Sequence, residues 1–127
     1  MNIDLHTSVE ELTTKQLGDL GEDATARYLL ESGYRIVERN WRCRYGEIDI
    51  VAQTPDALVF VEVKTRRSLH AASPLEALTP VKLRRLRRLA GLWLAEHPNA
   101  RGALRIDLAA IEAKGRTLSL THLEAIG

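Results

Sequence analysis

The chain has 127 residues, 45% of them hydrophobic and 28% charged, with a net charge of +1. That balance suits one domain with its own core and needs no metal or disulfide staple to fold; the lone cysteine, Cys43, excludes an internal disulfide and fits a reducing, cytoplasmic setting. No apolar run reaches membrane-spanning length, and the acidic, polar start "MNIDLHTSVEELTTKQ" lacks the basic and apolar regions of a signal peptide.

Residues 1–13 read as a flexible tail, and residues 14–127 as a single domain. A helix is predicted from about Thr14 to Ser32, with Leu17, Leu20, Ala24 and Tyr28 at helical spacing and Gly33 as its stop. Alternation in "YRIVER" predicts a strand, and "NWRCRY" reads as a basic, aromatic connection. Two further strands are predicted at about 46–53 and 58–66, joined by Thr54-Pro55-Asp56-Ala57. "SLHAAS" reads as a mobile loop. Ser73-Pro74 and Thr79-Pro80 each resemble an N-cap followed by proline at the first helical position, and the second opens a helix over 80–96. "ALRIDLAAIE" and "TLSLTHLEA" alternate as two last strands around an "AKGR" turn. The order αβββαββ defines an α/β domain, a mixed β-sheet flanked by helices.

Charge is unevenly spread along these elements. Residues 34–88 hold twelve basic and six acidic side chains, whereas residues 1–33 hold two and seven. A basic middle third in a neutral protein points to an anionic partner, or to an ordinary solvated face.

Strand alternation sets Glu47 and Asp49 on one face, with Ile48 and Ile50 on the other. Glu62 and Lys64 likewise oppose Val61 and Val63. A four-residue turn centred between Pro55 and Asp56 makes opposed residues sum to 111, so Asp49 meets Glu62 and Glu47 meets Lys64. Facing carboxylates repel. Lys64 offsets part of this, and Mg²⁺ or Mn²⁺, which prefer carboxylate oxygens, would offset more. Such a metal can polarise a phosphate and activate water. The competing reading is an exposed salt-bridge face, and spacing alone leaves the two even.

Asp49, twelve residues, then Glu62-Val63-Lys64 resembles the D–(E)xK signature of the restriction-endonuclease-like, PD-(D/E)XK nuclease superfamily. More narrowly, "GEDATARYLLESGYRIVERNWRCRYGEIDIVA" followed by "LVFVEVKTR" resembles the YraN-like (UPF0102) proteins, over about Gly18 to Asp107. The resemblance implies a restriction-endonuclease-like core and a metal-dependent endonuclease, related in fold to archaeal Holliday-junction resolvases. It implies that Asp49 and Glu62 hold the metal, that Lys64 is catalytic, and that Glu22 is brought to the site by the first helix. The aspartate is preceded by Ile48 rather than proline, at a position that is loose across the superfamily.

On the helix over 80–96, Lys82 falls about 40° from the centre of the apolar stripe of Leu86, Leu89, Ala90 and Trp93. An inward lysine either snorkels or reaches the carboxylate site, and the YraN-like pattern also has a lysine there. Arg84 and Arg88 point outward and Arg85 lies at the edge of the stripe; with Arg39, Arg42, Arg44, Arg66 and Arg67 they suit phosphate contacts. Trp41 and Tyr45 could stack on bases, or Trp41 could pack in the core. Arg105 and Asp107 suggest a simple pair, and the four histidines ordinary surface roles. The function expected is a metal-dependent, structure-selective endonuclease on nucleic acid, DNA favoured over RNA, with a homodimer suggested by the resolvase-like relatives. The alternatives are a nucleic-acid-binding module with little cleavage, and a scaffold whose charged face is only structural.

Overall fold

The structure is a computed structural model that describes residues 1–67 and 78–127. In chain order its elements are β1 (Asn2–Asp4), a 3-10 turn (Val9–Glu11), α1 (Thr14–Glu31), β2 (Arg35–Cys43), β3 (Gly46–Gln53), β4 (Ala57–Arg67), α2 (Pro80–Glu96), β5 (Ala103–Lys114) and β6 (Thr117–Leu123). Among the described residues six strands join one sheet in the order β1-β6-β5-β4-β3-β2. Of these pairs only β4 and β5 run parallel, and α2 lies in the connection between them, as a parallel crossover requires. The fold is thus the α/β class expected, with αβββαββ preceded by β1 and the turn. The predicted loop at 68–73, with His70, and the Ser73-Pro74 cap lie outside the described residues.

Local chemistry accounts for the element ends. Thr13 and Gln16 form a capping box at the start of α1: the Gln16 N–H donates to Thr13 Oγ1 (3.0 Å) and the Thr13 N–H to Gln16 Oε1 (2.9 Å). Thr79 accepts from the Lys82 N–H at the start of α2 (3.2 Å), with Pro80 following it. In the β3–β4 turn, Thr54 Oγ1 accepts from the Ala57 N–H (2.8 Å), and the Thr54 N–H donates to the Ala57 carbonyl (2.9 Å).

The two sheet faces carry separate cores. Leu58, Phe60 and Ile106 pack with Leu86, Leu89, Ala90 and Trp93 of α2. Ala57, Val59, Val61 and Ala109 pack with Ala26 and Leu29 of α1, and Leu17 extends that layer onto Ile111, Leu118 and Leu120. No helix among the described residues is long and apolar enough to cross a membrane.

Two sequence expectations change here. Residues 1–13 are not a free tail: Ile3 pairs opposite Leu118 on the sheet edge, and Val9 is buried. Arg67 fastens this segment by donating to the carbonyls of Val9 and Leu12, the latter at 2.6 Å. In addition, β2 continues through most of the expected connection "NWRCRY" as far as Cys43. Trp41 is therefore a core residue in contact with the α2 layer, and it is not available for stacking on bases.

The strands β2 and β3 do not keep one face throughout. Ile48 packs on the α2 side and Ile50 on the α1 side, although simple alternation puts them together. Opposite them, Trp41 packs toward α2 while Arg39 reaches the α1 carboxylates. The ladder pairs Arg39 with Ile50 and Trp41 with Ile48, and skips Asn40 and Asp49 between them. Asn40 has φ 54, a left-handed conformation that asparagine tolerates better than most residues. Both strands reverse sides at this one position, and Asp49 occupies it.

Candidate functional site

The paired register of β3 and β4 is Gln53↔Leu58, Ala52↔Val59, Val51↔Phe60 and Ile50↔Val61, each pair summing to 111 as the turn requires. The ladder then stops. Continued pairing would have set Asp49 against Glu62 and Glu47 against Lys64. Instead the Val63 N–H donates to Asp49 Oδ2 (2.8 Å). A side-chain carboxylate therefore takes a bond that strand pairing would give to a carbonyl, at the place where the two strands part.

Asp49 and Glu62 still meet, because their side chains are within hydrogen-bonding reach. Burial pushes the Asp49 carboxyl up to about 7; the Val63 N–H opposes this, and repulsion from Glu62 and Glu47 adds to it. The raised carboxyl makes Asp49 a weaker acid than an ordinary aspartate.

Glu22 approaches from α1. Its side chain is 14% exposed, and its carboxyl is raised by burial and by Asp49, with Arg39 and Asn40 acting in the opposite sense. Arg39 donates to Glu22 (3.3 Å) and to Asp23 (2.7 Å), so it belongs to the inner charge arrangement more than to an outer phosphate track. Glycine at position 21 permits this approach, since a Cβ there would lie 1.9 Å from Thr65 Oγ1.

From the other side, Lys82 and Arg85 of α2 line a cavity of about 110 Å³ together with Glu62, Lys64, Leu78 and Leu108. The inward-pointing lysine of α2 thus reaches the neighbourhood of Glu62. Lys64 is exposed and also lines a second cavity of about 170 Å³ with Arg66, Ala110, Ile111, Glu112, Ser119 and Thr121.

The remaining predicted contacts divide. Glu47 is paired with Arg42 across the β2–β3 hairpin (3.0 Å), so the expected Glu47–Lys64 opposition is replaced by a pair on the neighbouring strand. Arg66 pairs with Glu112 (3.3 Å). Arg67 is committed to the N-terminal carbonyls, contrary to its expected place on nucleic acid. Arg44, Arg84, Arg85 and Arg88 are exposed.

A second polar centre is built on the expected Arg105–Asp107 pair. Asp107 is fully buried and accepts from Arg105 Nε (3.0 Å) and Nη2 (2.8 Å), the Ala125 N–H (3.0 Å) and His122 Nε2 (2.7 Å). His122 Nδ1 lies 3.0 Å from the Tyr28 hydroxyl. Burial works against the Asp107 carboxylate, but bonds from His122, Arg105 and Ala125 outweigh it and hold the carboxyl below its usual range. His122, expected on the surface, has a side chain only 7% exposed. The Arg105–Asp107 spacing exposed the pair, whereas the histidine arrives from β6 through folding.

The sheet order, the parted β3–β4 ladder and the cluster of carboxylates and lysines define an α/β protein with an acidic site flanked by cations. The family model described as "Uncharacterised protein family UPF0102" matches residues 21–111, and the chain belongs to that family. Among its relatives, a UPF0102 protein of Mycobacterium sp. (strain KMS) is 49% identical over 117 residues, spanning 90% of this chain and 87% of the relative. One from Mycobacterium bovis (strain BCG / Pasteur 1173P2) is 46% identical over 127 residues, spanning 95% of this chain and 99% of the relative. A UPF0102 protein of Mycobacterium tuberculosis (strain ATCC 25177 / H37Ra) has the same identity and coverage.

Proposed function

We propose that the protein is a cytoplasmic, divalent-metal-dependent endonuclease that hydrolyses phosphodiester bonds in nucleic acid, DNA in preference to RNA. The observation that carries this reading is the Asp49–Glu62 pair at the opening between β3 and β4, with Glu22 and Lys82 converging on it. The donors are hard carboxylate oxygens, which fit Mg²⁺ or Mn²⁺. Among the described residues, no group of three or more His, Cys, Asp or Glu side chains converges on one point as a complete cage. Asp49 and Glu62 would hold such a metal, and it would supply charge neutralisation at a phosphate.

When bound, the metal supplies Lewis-acid activation of a phosphate and acidification of water. The side chains supply the rest. Asp49 is held by the Val63 N–H, which keeps its carboxyl beside Glu62. Lys64, exposed beside Glu62, stabilises charge on the phosphate or positions the attacking water. Glu22 is held by Arg39 to serve as a proton acceptor or outer ligand. Lys82 and Arg85 neutralise the phosphate on the α2 side.

The incomplete cage favours one further reading, a nucleic-acid-binding module with little intrinsic cleavage. Calorimetric Mn²⁺ titration and cleavage assays on duplex, single-stranded, flap and four-way-junction DNA separate the two. Wild type should bind Mn²⁺ and cut; Asp49→Ala should lose both; Lys64→Ala should bind the ion but not cut. Nucleic-acid binding without Mn²⁺ affinity or cleavage would favour the binding module, and full cleavage by Lys64→Ala would remove that residue from the chemistry.

A further inference from the structure

The tip of the β2–β3 hairpin carries an aromatic arrangement that the carboxylate site does not use. The Arg88 guanidinium of α2 lies 3.9 Å from the centroid of the Tyr45 ring, and that of Arg44 lies 5.1 Å from it. Tyr45 is 42% exposed, and its hydroxyl makes no hydrogen bond with the described residues. The guanidinium contacts leave much of the ring open to solvent.

Its position is nonetheless fixed. Gly46, with φ +140, follows it, and a Cβ there would sit 3.4 Å from Leu89 Cδ1. The hairpin is thereby pressed against α2 next to Arg88. The same helix presents Lys82 and Arg85 to the cavity holding Glu62 and Lys64. Arg85 and Arg88 are one helical turn apart, so cations run from that cavity to the tyrosine. Tyr45 stands in the turn just before β3, four residues from Asp49 and so within about 13 Å of it along the chain.

We propose that Tyr45, with Arg44 and Arg88 against its ring and the rest of it open, is a stacking platform for an unpaired nucleobase a few nucleotides from the cut phosphate. The substrate class that follows is nucleic acid with a single-stranded segment beside the cut. In continuous duplex each base face is covered by its neighbours, so an aromatic ring meets a free base face only where the stack is broken. The flanking guanidiniums add phosphate attraction and stack on bases themselves. This inference rests on the nucleic-acid reading of the adjoining site.

The test is binding of a labelled single strand, a flap and a continuous duplex in EDTA, where cleavage plays no part. Wild type, Tyr45→Phe, Tyr45→Leu and Tyr45→Ala are compared, with thermal melts as a check on folding. Wild type should bind the single strand and flap more tightly than the duplex. Tyr45→Leu and Tyr45→Ala should weaken those two by roughly tenfold or more, with duplex affinity nearly unchanged, and Tyr45→Phe should retain wild-type affinity. Equal losses on all three nucleic acids, or none in a folded Tyr45→Ala protein, would overturn the stacking platform and leave the nuclease site standing. A wild type that binds no nucleic acid would overturn both.

Discussion

Replacing Asp49 by asparagine should stabilise this protein at neutral and alkaline pH. The folded chain raises the Asp49 carboxyl from 3.8 to about 7, chiefly by burial. A raised carboxyl means that the folded state binds the proton more tightly than the unfolded state. Stability is therefore lost as pH rises from about 4 to about 7, and the full cost is present above that window. Each tenfold change in proton affinity is worth ~1.4 kcal/mol, so the cost approaches about 4 kcal/mol at pH 8. Asparagine keeps an acceptor for the Val63 N–H and offers Glu62 a donor, without the charge. Urea unfolding in EDTA should show Asp49→Asn more stable than wild type by about 2–4 kcal/mol at pH 8, the gap closing toward pH 4. On the proposed function, Mn²⁺ narrows the gap by stabilising only the wild type, by about 2.7 kcal/mol at a hundred times its Kd. No gap at pH 8, or a gap that widens toward acid, would refute this account of Asp49.

Gly21→Ala should destabilise the fold by about 1–3 kcal/mol, because its Cβ meets Thr65. Gly18→Ala, with nothing within 4 Å, should stabilise by up to about 1 kcal/mol in the same melts. Asp107→Asn should cost about 3–5 kcal/mol at pH 7 by leaving half-buried Arg105 and His122 poorly paired around a buried site. Because the Asp107 carboxyl is held low, its contribution is present above the ordinary aspartate range and fades in acid, so the wild-type advantage should shrink as pH falls toward 3. Arg67→Ala should cost about 1–3 kcal/mol by taking the Arg67 donor from the Leu12 carbonyl and leaving the Val9 carbonyl with the Leu12 N–H. It should leave the salt dependence of nucleic-acid binding unchanged; a shallower slope would return Arg67 to the phosphate track.

What the sequence by itself determined was whatever short-range chemistry controls. Thr79-Pro80 started α2, the Leu86-Leu89-Ala90-Trp93 stripe chose its inner face, and the Thr54–Ala57 turn set a register summing to 111. Each depends on neighbours within a few residues, so spacing alone carries it. The meeting of Asp49 with Glu62 follows from that register, but its form does not. Alternation placed Asp49 on a regular strand face, whereas Asn40 on β2 and the Val63 N–H on β4 turn it into the gap between strands. The uses of the arginines were equally hidden, since an exposed arginine and one bound to carbonyls 55 and 58 residues away look alike in sequence. Tertiary structure decided these points because a buried or paired charge is defined by its partners. Those partners come from α1, β2, β4 and β6 only once the sheet has closed around them.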